Sequence, residues 1–276
     1  MKLSNLLVPT DFSDQASATL HYALLLAKET GAVLHVLNSY YIPINTIETD
    51  YVADQAIWLE QSRQRALEEM QLLEERYLKE SGVIYETHVH PGPDMGDINE
   101  TIREKKIDLV VMGTQHGGDL EHFFGELYTH AIRHAKAPVL LVPETSAYVR
   151  PQQVVFTTDL KPLENQAPLE NLAGILANFN PQLTMLHVHK AGEEPEEKQK
   201  DEFKELSANL ASFSPRLVLV EADDIQDGIL GYAKQAHTDW LVAISHNYGL
   251  LEGLFHSSHT KKLARQTPVP LLVSHE

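Results

Sequence analysis

Glycines that follow a buried strand are the first sign of chemistry in this sequence. Leu109 to Met112 is a short apolar run, typical of a strand buried on both faces, and Gly113 ends it. Gly117, Gly118 and Gly125 come next, before an amphipathic helical pattern begins. Backbone N–H groups beside glycine can approach phosphate oxygens closely, and a helix N-terminus favours an anion. The stretch therefore predicts an anion site at the carboxyl end of a parallel α/β strand.

Two aspartates stand in the same kind of position, one in each half of the sequence. Asp11 and Asp159 each follow an apolar strand at its carboxyl end, and Thr10 and Thr158 precede them. Ligands bind at this edge of open α/β sheets, so both carboxylates are candidates for ligand contact. The alternative is that each carboxylate begins the next helix through a favourable interaction with its dipole.

Histidines are numerous, with fifteen in the chain. His88-Val-His90 and His187-Val-His189 each place two imidazoles on one face of a strand, a spacing that occurs in metal sites. The sequence shows no carboxylate or third ligand beside either pair, so strand-end histidines without a metal are the favoured interpretation. Further histidines surround the glycine loop and its counterpart, namely His116, His122, His130, His134, His246, His256 and His259. No metal ligand is predicted among them.

Composition and missing motifs exclude several classes of function. The absence of cysteine excludes disulfides, zinc–thiolate sites and thiol catalysis, and it suits a reducing cytoplasm. A net charge of −17 disfavours nucleic acid and anionic membranes as partners. No apolar run approaches the ~18 residues of a membrane-spanning helix, and no signal peptide is expected. Catalytic and nucleotide motifs such as Gly-x-Ser-x-Gly, His-Glu-x-x-His and the Walker loop are missing, which weakens an enzyme hypothesis.

Local signals predict alternating strands and helices. Ser13 is a suitable N-cap for a helix that runs to about Thr30, with Gly31 at its C-terminus. The other elements expected before the glycine loop are a strand over 33–37, a loop over 40–50, a long acidic helix over 51–81, a strand over 83–89 and a short helix that ends at Lys105. The acidic face of the long helix is interpreted as solvated, and a partner surface is the alternative.

The pattern restarts in the second half of the chain. Four segments match in the same order: 6–11 with 153–159, 34–39 with 183–188, 108–114 with 239–245, and 133–142 with 265–273. Such an ordered match indicates a tandem duplication. It predicts a domain over 1–143, a polar linker over 144–151 and a second domain over 152–276. Each would be a parallel sheet with helices on both faces and right-handed crossovers.

The glycine loop and its flanks resemble the universal stress protein family. That family's signature is a strand ending in Met-Gly-Thr, a Gly-x-x-Gly, nine residues and Gly-Ser or Gly-Thr, followed by Arg-His-Ala and a proline before the last strand. The matching residues are Met112-Gly113-Thr114, Gly125, Arg133-His134-Ala135 and Pro138. Leu-x-x-Leu-His-Val at 183–188 is a second hallmark, and Asn38 takes its histidine's place in the first half.

The resemblance implies two Rossmann-like α/β domains, of the adenine nucleotide α-hydrolase-like kind. Each would be a five-stranded parallel sheet with strand order 3-2-1-4-5. Members of the family commonly dimerise through their last strands. Val139–Val142 and Leu271–Val273 are therefore expected to pair within the chain, which would make it a pseudo-dimer.

Both phosphate loops depart from the family pattern. In the first half His116 stands for the second glycine, one residue too close to Gly125, and Glu126 replaces the hydroxyl residue. In the second half the residues at the glycine positions are Ile244, Asn247 and Ser257, and Ser258 fills the hydroxyl position. Ile244 is β-branched and resists the φ > 0 conformations that glycine allows. The resemblance thus implies degenerate nucleotide loops.

The predicted function is a cytoplasmic, non-catalytic stress-response module that acts by binding. The alternative is a protein that binds or hydrolyses an adenine nucleotide, ATP or AMP, in the first half; some other small ligand is a third possibility. The candidate binding residues of the first half are Pro9, Thr10, Asp11, Gly113, Thr114, His116, Gly117, Gly125 and Glu126. Those of the second half are Asp159, Ser245, Asn247, Ser257 and Ser258. The expected partners are a nucleotide, the other half of the same chain, and a second copy in a homodimer.

Overall fold

A computed structural model of the 276-residue chain describes most of its residues. The described ranges are 2–40, 52–92, 94–114, 131, 135–163, 165–190, 192, 197–245, 263 and 266–275. Tyr40, predicted to begin a loop, instead ends a strand, and the rest of that predicted loop, 41–50, lies outside the described ranges, as does most of the helix predicted after Gly125.

Strands and helices alternate along the chain. The strands are β1 (Asn5–Pro9), β2 (Val33–Tyr40), β3 (Tyr85–Pro91), β4 (Leu109–Thr114), β5 (Val139–Pro143), β6 (Gln153–Thr157), β7 (Gln182–His189), β8 (Arg216–Glu221), β9 (Trp240–Ser245) and β10 (Leu271–His275). The α-helices are α1 (Asp14–Thr30), α2 (Val52–Leu73), α3 (Asp94–Lys105), α4 (Ala167–Leu176), α5 (Glu197–Asn209) and α6 (Ile225–Gln235). A π-helical turn, Glu74–Leu78, continues α2. None of the helices in the described ranges is long and apolar enough to cross a membrane.

The strands form one ten-stranded sheet, in the order β3-β2-β1-β4-β5-β10-β9-β6-β7-β8. Each half has the predicted order 3-2-1-4-5, and the ladders recorded within a half are parallel. The two five-stranded halves are thus continuous with each other. The whole sheet is mixed, because the ladder that joins the two parallel halves is antiparallel.

The junction is an antiparallel ladder between β5 and β10. Leu141 pairs with Leu271, Leu140 with Leu272, and Val139 with Val273. All of these side chains are buried. Equivalent strands that pair antiparallel are related by a local twofold axis, so the two halves are arranged as a pseudo-dimer around this ladder.

The hydrophobic core also crosses the junction on both faces of the sheet. One cluster includes Leu20 of α1 together with Leu172 of α4, and the other includes Ile102 of α3 together with Ile229 of α6. A buried hydrogen bond joins the halves directly, because the Trp240 Nε1–H donates to the Tyr22 hydroxyl at 2.8 Å. The halves therefore share a core as well as a sheet.

Local signals account well for α1. The Ser13 hydroxyl accepts a hydrogen bond from the Ala16 N–H, and Gly31 ends the helix with φ 72°, in the left-handed region. Gly82 has φ 73° in the turn before β3, and this strand begins at Tyr85, two residues later than predicted.

The segment predicted as a linker, 144–151, is packed against both halves. Tyr148 donates a hydrogen bond from its hydroxyl to the Glu29 carboxylate of α1, and Arg150 forms an ion pair with the same carboxylate. Arg150 also donates to the Phe179 carbonyl at 3.0 Å in the second half. These contacts hold the connection in place across the junction.

Candidate functional site

A hydrogen-bonded turn follows β1 and positions Asp11. The Thr10 hydroxyl accepts from the Phe12 N–H at 3.0 Å, and Phe12 has φ 66°. Asp11 Oδ1 accepts from the Ser13 N–H at 3.0 Å and from the Ser13 hydroxyl at 2.6 Å. Since Ser13 caps α1, the carboxylate is held directly at the helix N-terminus.

The second half repeats this turn after β6. The Thr158 hydroxyl accepts from the Leu160 N–H at 3.0 Å, and Leu160 has φ 54°. Asp159 Oδ1 accepts from the Lys161 N–H at 3.1 Å. The difference lies in the next helix, because α4 begins only at Ala167. The duplication thus preserves the turn but moves the helix N-terminus away from the carboxylate.

A side chain from the second strand of each half contacts this turn and fixes its position. The Asn38 Nδ2 donates to the Thr10 carbonyl at 2.8 Å, and the His187 Nδ1 lies 2.9 Å from the Thr158 carbonyl. A carbonyl only accepts, so Nδ1 of His187 carries the proton in this contact. Sequence reasoning found this asparagine–histidine replacement but missed its role, although the equivalent positions in the repeat were the signal.

The surroundings of Asp159 are acidic and mostly closed to solvent. Asp159 is buried, with the Lys161 ammonium 3.6 Å from its Oδ2. Burial raises the pKa of Glu202, and the nearby charges of Glu205 and Asp159 raise it further. Such a concentration of carboxylates is unfavourable for a phosphate ligand.

The backbone conformation predicted for Gly113 is wrong, because the glycine neither ends the strand nor has φ > 0. This residue lies inside β4 and is not among the glycines with positive φ, and Ile244 likewise lies within β9. A Cβ at position 113 would come within 2.5 Å of the Thr19 Oγ1 and 3.0 Å of the Gln15 Nε2. The glycine is therefore needed because α1 packs closely against β4. The argument that Ile244 fails by resisting φ > 0 falls for the same reason, since its strand is extended.

The ends of β1 and β4 bring the described candidates of the first half to one edge. These strands are neighbours, with Leu6 paired to Leu109 and Leu7 to Val110. At their carboxyl ends lie the half-buried Pro9, followed by Thr10 and Asp11, and on β4 Gly113 and Thr114. The Gln15 Nε2 of α1 lies 3.5 Å from the Thr114 carbonyl. The Thr114 hydroxyl is buried with no hydrogen-bond partner among the described residues.

Seven candidate residues lie outside the described ranges: His116, Gly117, Gly125, Glu126, Asn247, Ser257 and Ser258. Ser245 is described, and it ends β9 half-buried, in register with His275 of β10. The geometry of both phosphate loops therefore rests on the sequence argument alone.

Both halves of the chain match a known protein family. The family model described as "Universal stress protein family" matches residues 2–143 and 152–275. The chain belongs to the universal stress protein family.

Known relatives agree with this assignment. A universal stress protein of Methanocaldococcus jannaschii is 28% identical over 144 residues, which are 50% of this chain and 80% of that protein. Universal stress protein G of Shigella flexneri is 28% identical over 132 residues, 48% of this chain and 89% of that protein. A crystal structure of a universal stress protein from Archaeoglobus fulgidus has a TM-score of 0.74 at 15% identity, covering 100% of this chain and 99% of its own. This structural likeness extends over both halves and concerns the fold.

Proposed function

We propose that this universal stress protein is a non-catalytic, cytoplasmic stress-response module that acts by binding, with a weak adenine-nucleotide site in its first half. The observation that carries the proposal is the placement of Asp11. Hydrogen bonds from Ser13 fix this carboxylate at the N-terminus of α1, at the same edge as the buried Thr114 hydroxyl, which has no partner within the described part of the chain. A fixed acceptor suits the amino and hydroxyl groups of adenosine, and the phosphate is proposed to lie at the loop that follows β4 instead of beside the Asp11 carboxylate.

The first half is favoured over the second on electrostatic grounds. Asp11 is half-buried, whereas Asp159 is buried beside Lys161 and close enough to Glu202 to raise the pKa of that carboxyl. The helix after β6 also starts at Ala167, too far along the chain to place its N-terminus at the turn. The second half therefore lacks both a partly exposed carboxylate and a helix that begins directly after the turn.

The site is proposed to be weak because Glu126 occupies the loop position where the family has a hydroxyl residue. A carboxylate that faces a phosphate costs on the order of a few kcal/mol per charge pair at an effective dielectric near ~20. That penalty corresponds to roughly two to three decades of affinity. AMP and adenosine should be less disfavoured than ATP, since they bring fewer charges.

Calorimetric titration of the full chain with AMP and ATP tests this proposal. We expect weak binding by the wild type, tighter ATP binding by Glu126→Ser and weaker binding of every adenine ligand by Asp11→Ala. Asp159→Ala is the matched control, because it removes the equivalent carboxylate from the same kind of turn in the second half and leaves the proposed site unchanged.

Three results would overturn the proposal. Tight ATP binding by the wild type, or loss of binding in Asp159→Ala with Asp11→Ala unchanged, would assign the site to the wrong half or the wrong loop. Steady ATP turnover that disappears in Asp11→Ala would show an enzyme instead of a binding module. Mass spectrometry of small molecules released from the denatured protein would identify a different ligand directly.

A further inference from the structure

Two histidines and a glutamate meet on the first half of the sheet, away from the ligand edge. His35 lies on β2, and Glu86 and His88 lie on β3, the outermost strand of this half. We call these three residues the His-Glu cluster. His35 is paired in register with Glu86, and His88 lies two residues further along, so all three side chains project from one face. This is the face that α3 covers, since the neighbouring Leu37 packs in the same core cluster as Ile102.

The ligating atoms of the cluster are spaced like one face of a metal coordination tetrahedron. The His35 Nδ1 lies 3.2 Å from the His88 Nε2 and 3.5 Å from the Glu86 Oε2, and the last two atoms are 3.8 Å apart. Ligand atoms bound to zinc at about 2.0–2.2 Å in a tetrahedron lie about 3.3–3.6 Å apart, and the three separations here average about 3.5 Å. Within the described part of the chain, no other group of three His, Cys, Asp or Glu side chains converges in this way.

A neighbouring strand orients the first histidine. The His35 Nε2 lies 3.3 Å from the Asn5 Oδ1 of β1. An amide oxygen only accepts, so Nε2 carries the proton and the Nδ1 lone pair points into the cluster. Ligating histidines commonly have such a partner on their second nitrogen, because it fixes the tautomer and the ring orientation.

The duplicated half shows that the fold does not require these residues. By strand register, His35, Glu86 and His88 correspond to Thr184, Arg216 and Val218 on β7 and β8. There the Arg216 Nε donates to the Thr184 hydroxyl at 3.2 Å, and no metal ligand remains. Two histidines and a carboxylate at these positions are therefore specific to the first half.

We propose that the His-Glu cluster binds one zinc-class divalent cation through His35 Nδ1, His88 Nε2 and a Glu86 carboxylate oxygen. His35 is almost fully buried, whereas 47% of the Glu86 side chain is exposed, so an ion would enter from the glutamate side. Three protein ligands leave the fourth position to water. The ion would clamp the outer strand β3 to β2, and this role is independent of the nucleotide proposed above.

Lys105 at the end of α3 gives the proposal a directional test. Its ammonium lies 2.8 Å from the Glu86 Oε2 and lowers the pKa of that carboxyl. The lysine therefore occupies an oxygen that the ion needs and adds a repulsive charge. Lys105→Met should tighten zinc binding several-fold, an effect that a cluster with a purely structural role would not produce.

The experiment is calorimetric titration of the chelator-treated full chain with Zn²⁺, and separately with Mg²⁺. We expect one zinc site in the wild type and no Mg²⁺ binding, because imidazole ligands suit zinc and magnesium takes oxygen ligands. His88→Gln and Glu86→Gln should each weaken zinc at least about tenfold. Co²⁺ bound in place of Zn²⁺ should give a visible absorption spectrum that is lost in both variants.

His189→Gln is the matched control, since His189 is a strand histidine of the second half outside the cluster. Its zinc affinity should equal that of the wild type. Equal affinity in the wild type, His88→Gln and Glu86→Gln would show adventitious binding by other histidines and overturn the proposal. His88→Gln should fold without metal, because Val218 occupies the same position in the second half. Should it not fold, failure of Lys105→Met to tighten zinc would overturn the proposal by itself.

Discussion

At the residue scale, the repeated turns show which roles the sequence could reveal. Asp11 and Asp159 were predicted at the sheet edge, either as ligand contacts or as helix starters, and both do accept backbone N–H bonds there. The φ > 0 conformation was wrongly predicted for Gly113, because a sequence records that a side chain is missing but not which neighbour excludes it. Here the neighbours are Thr19 and Gln15 of α1.

Gly113→Ala tests this packing role. The added methyl group would meet the Thr19 Oγ1 at 2.5 Å, so we expect a loss of about 1–3 kcal/mol in the free energy of unfolding. Urea denaturation measures the loss. The double variant Gly113→Ala with Thr19→Ala should recover much of it, because the closest clashing atom is then removed. A Gly113→Ala protein as stable as the wild type would contradict this packing role.

Glu202 is predicted to destabilise the folded chain at neutral pH. Burial, and then Glu205 and Asp159, raise its pKa in the folded state above the unfolded value. The unfolded chain therefore releases this proton first, and the glutamate costs stability increasingly as pH rises from the unfolded pKa through the folded one. Glu202→Gln should have a higher melting temperature than the wild type at pH 7, and this advantage should vanish at a pH below the unfolded pKa.

The exposed Glu80 provides the control for that measurement. Glu80→Gln removes an equal charge from the exposed segment that follows α2 and its π-helical turn. It should not produce the pH-dependent gain in melting temperature that is expected of Glu202→Gln. A Glu202→Gln advantage that is constant with pH would contradict the assigned titration.

At the element scale, capping residues predicted the two ends of α1, the internal repeat predicted the division into two halves, and the family resemblance implied the strand order within each half. Ser13 and Gly31 delimit α1 as predicted. Register between strands was not accessible in the same way, because nothing in the local pattern aligns residue 35 with residue 86. For that reason His35 was not predicted as a third ligand beside His88. The carboxylate of Glu86 was also missed, although it stands only two positions before His88 on the same strand.

The contact between α1 and β9 was also invisible in the sequence, since Tyr22 and Trp240 lie in different halves. Tyr22→Phe would leave the buried Trp240 Nε1–H without its acceptor. An unsatisfied buried donor costs about 1–3 kcal/mol, and equilibrium unfolding should show a loss of that size. Tyr232→Phe, at a half-buried tyrosine of α6, is the control. Equal stability of the two variants would mean that this hydrogen bond contributes nothing measurable.

At the scale of the whole molecule, the shared sheet and core predict that the halves unfold together. Leu141→Lys places a charge in the buried β5–β10 ladder and should cost several kcal/mol. In a Trp58→Phe background, which removes the other of the two tryptophans, Trp240 of the second half reports on this change by its fluorescence. We expect its unfolding midpoint in urea to fall together with the circular dichroism signal.

Leu219→Lys is the control, on the outer strand β8, where the leucine is already 44% exposed. It should leave the midpoint nearly unchanged. A Trp240 midpoint that stays at the wild-type value, while circular dichroism shows an earlier partial loss, would mean that the halves are energetically separate.

Pairing of the two halves across the β5–β10 ladder is an intramolecular equilibrium. The short segment 144–152 connects β5 of the first half to β6 of the second half, so each half meets the other at a fixed effective concentration, of millimolar order for a short connection. Pairing of the halves should then be insensitive to dilution, and the melting temperature should not depend on protein concentration. Both last strands already have a neighbour on each side. Two copies that associate by adding strand to strand within this sheet must therefore use the outer strands β3 and β8.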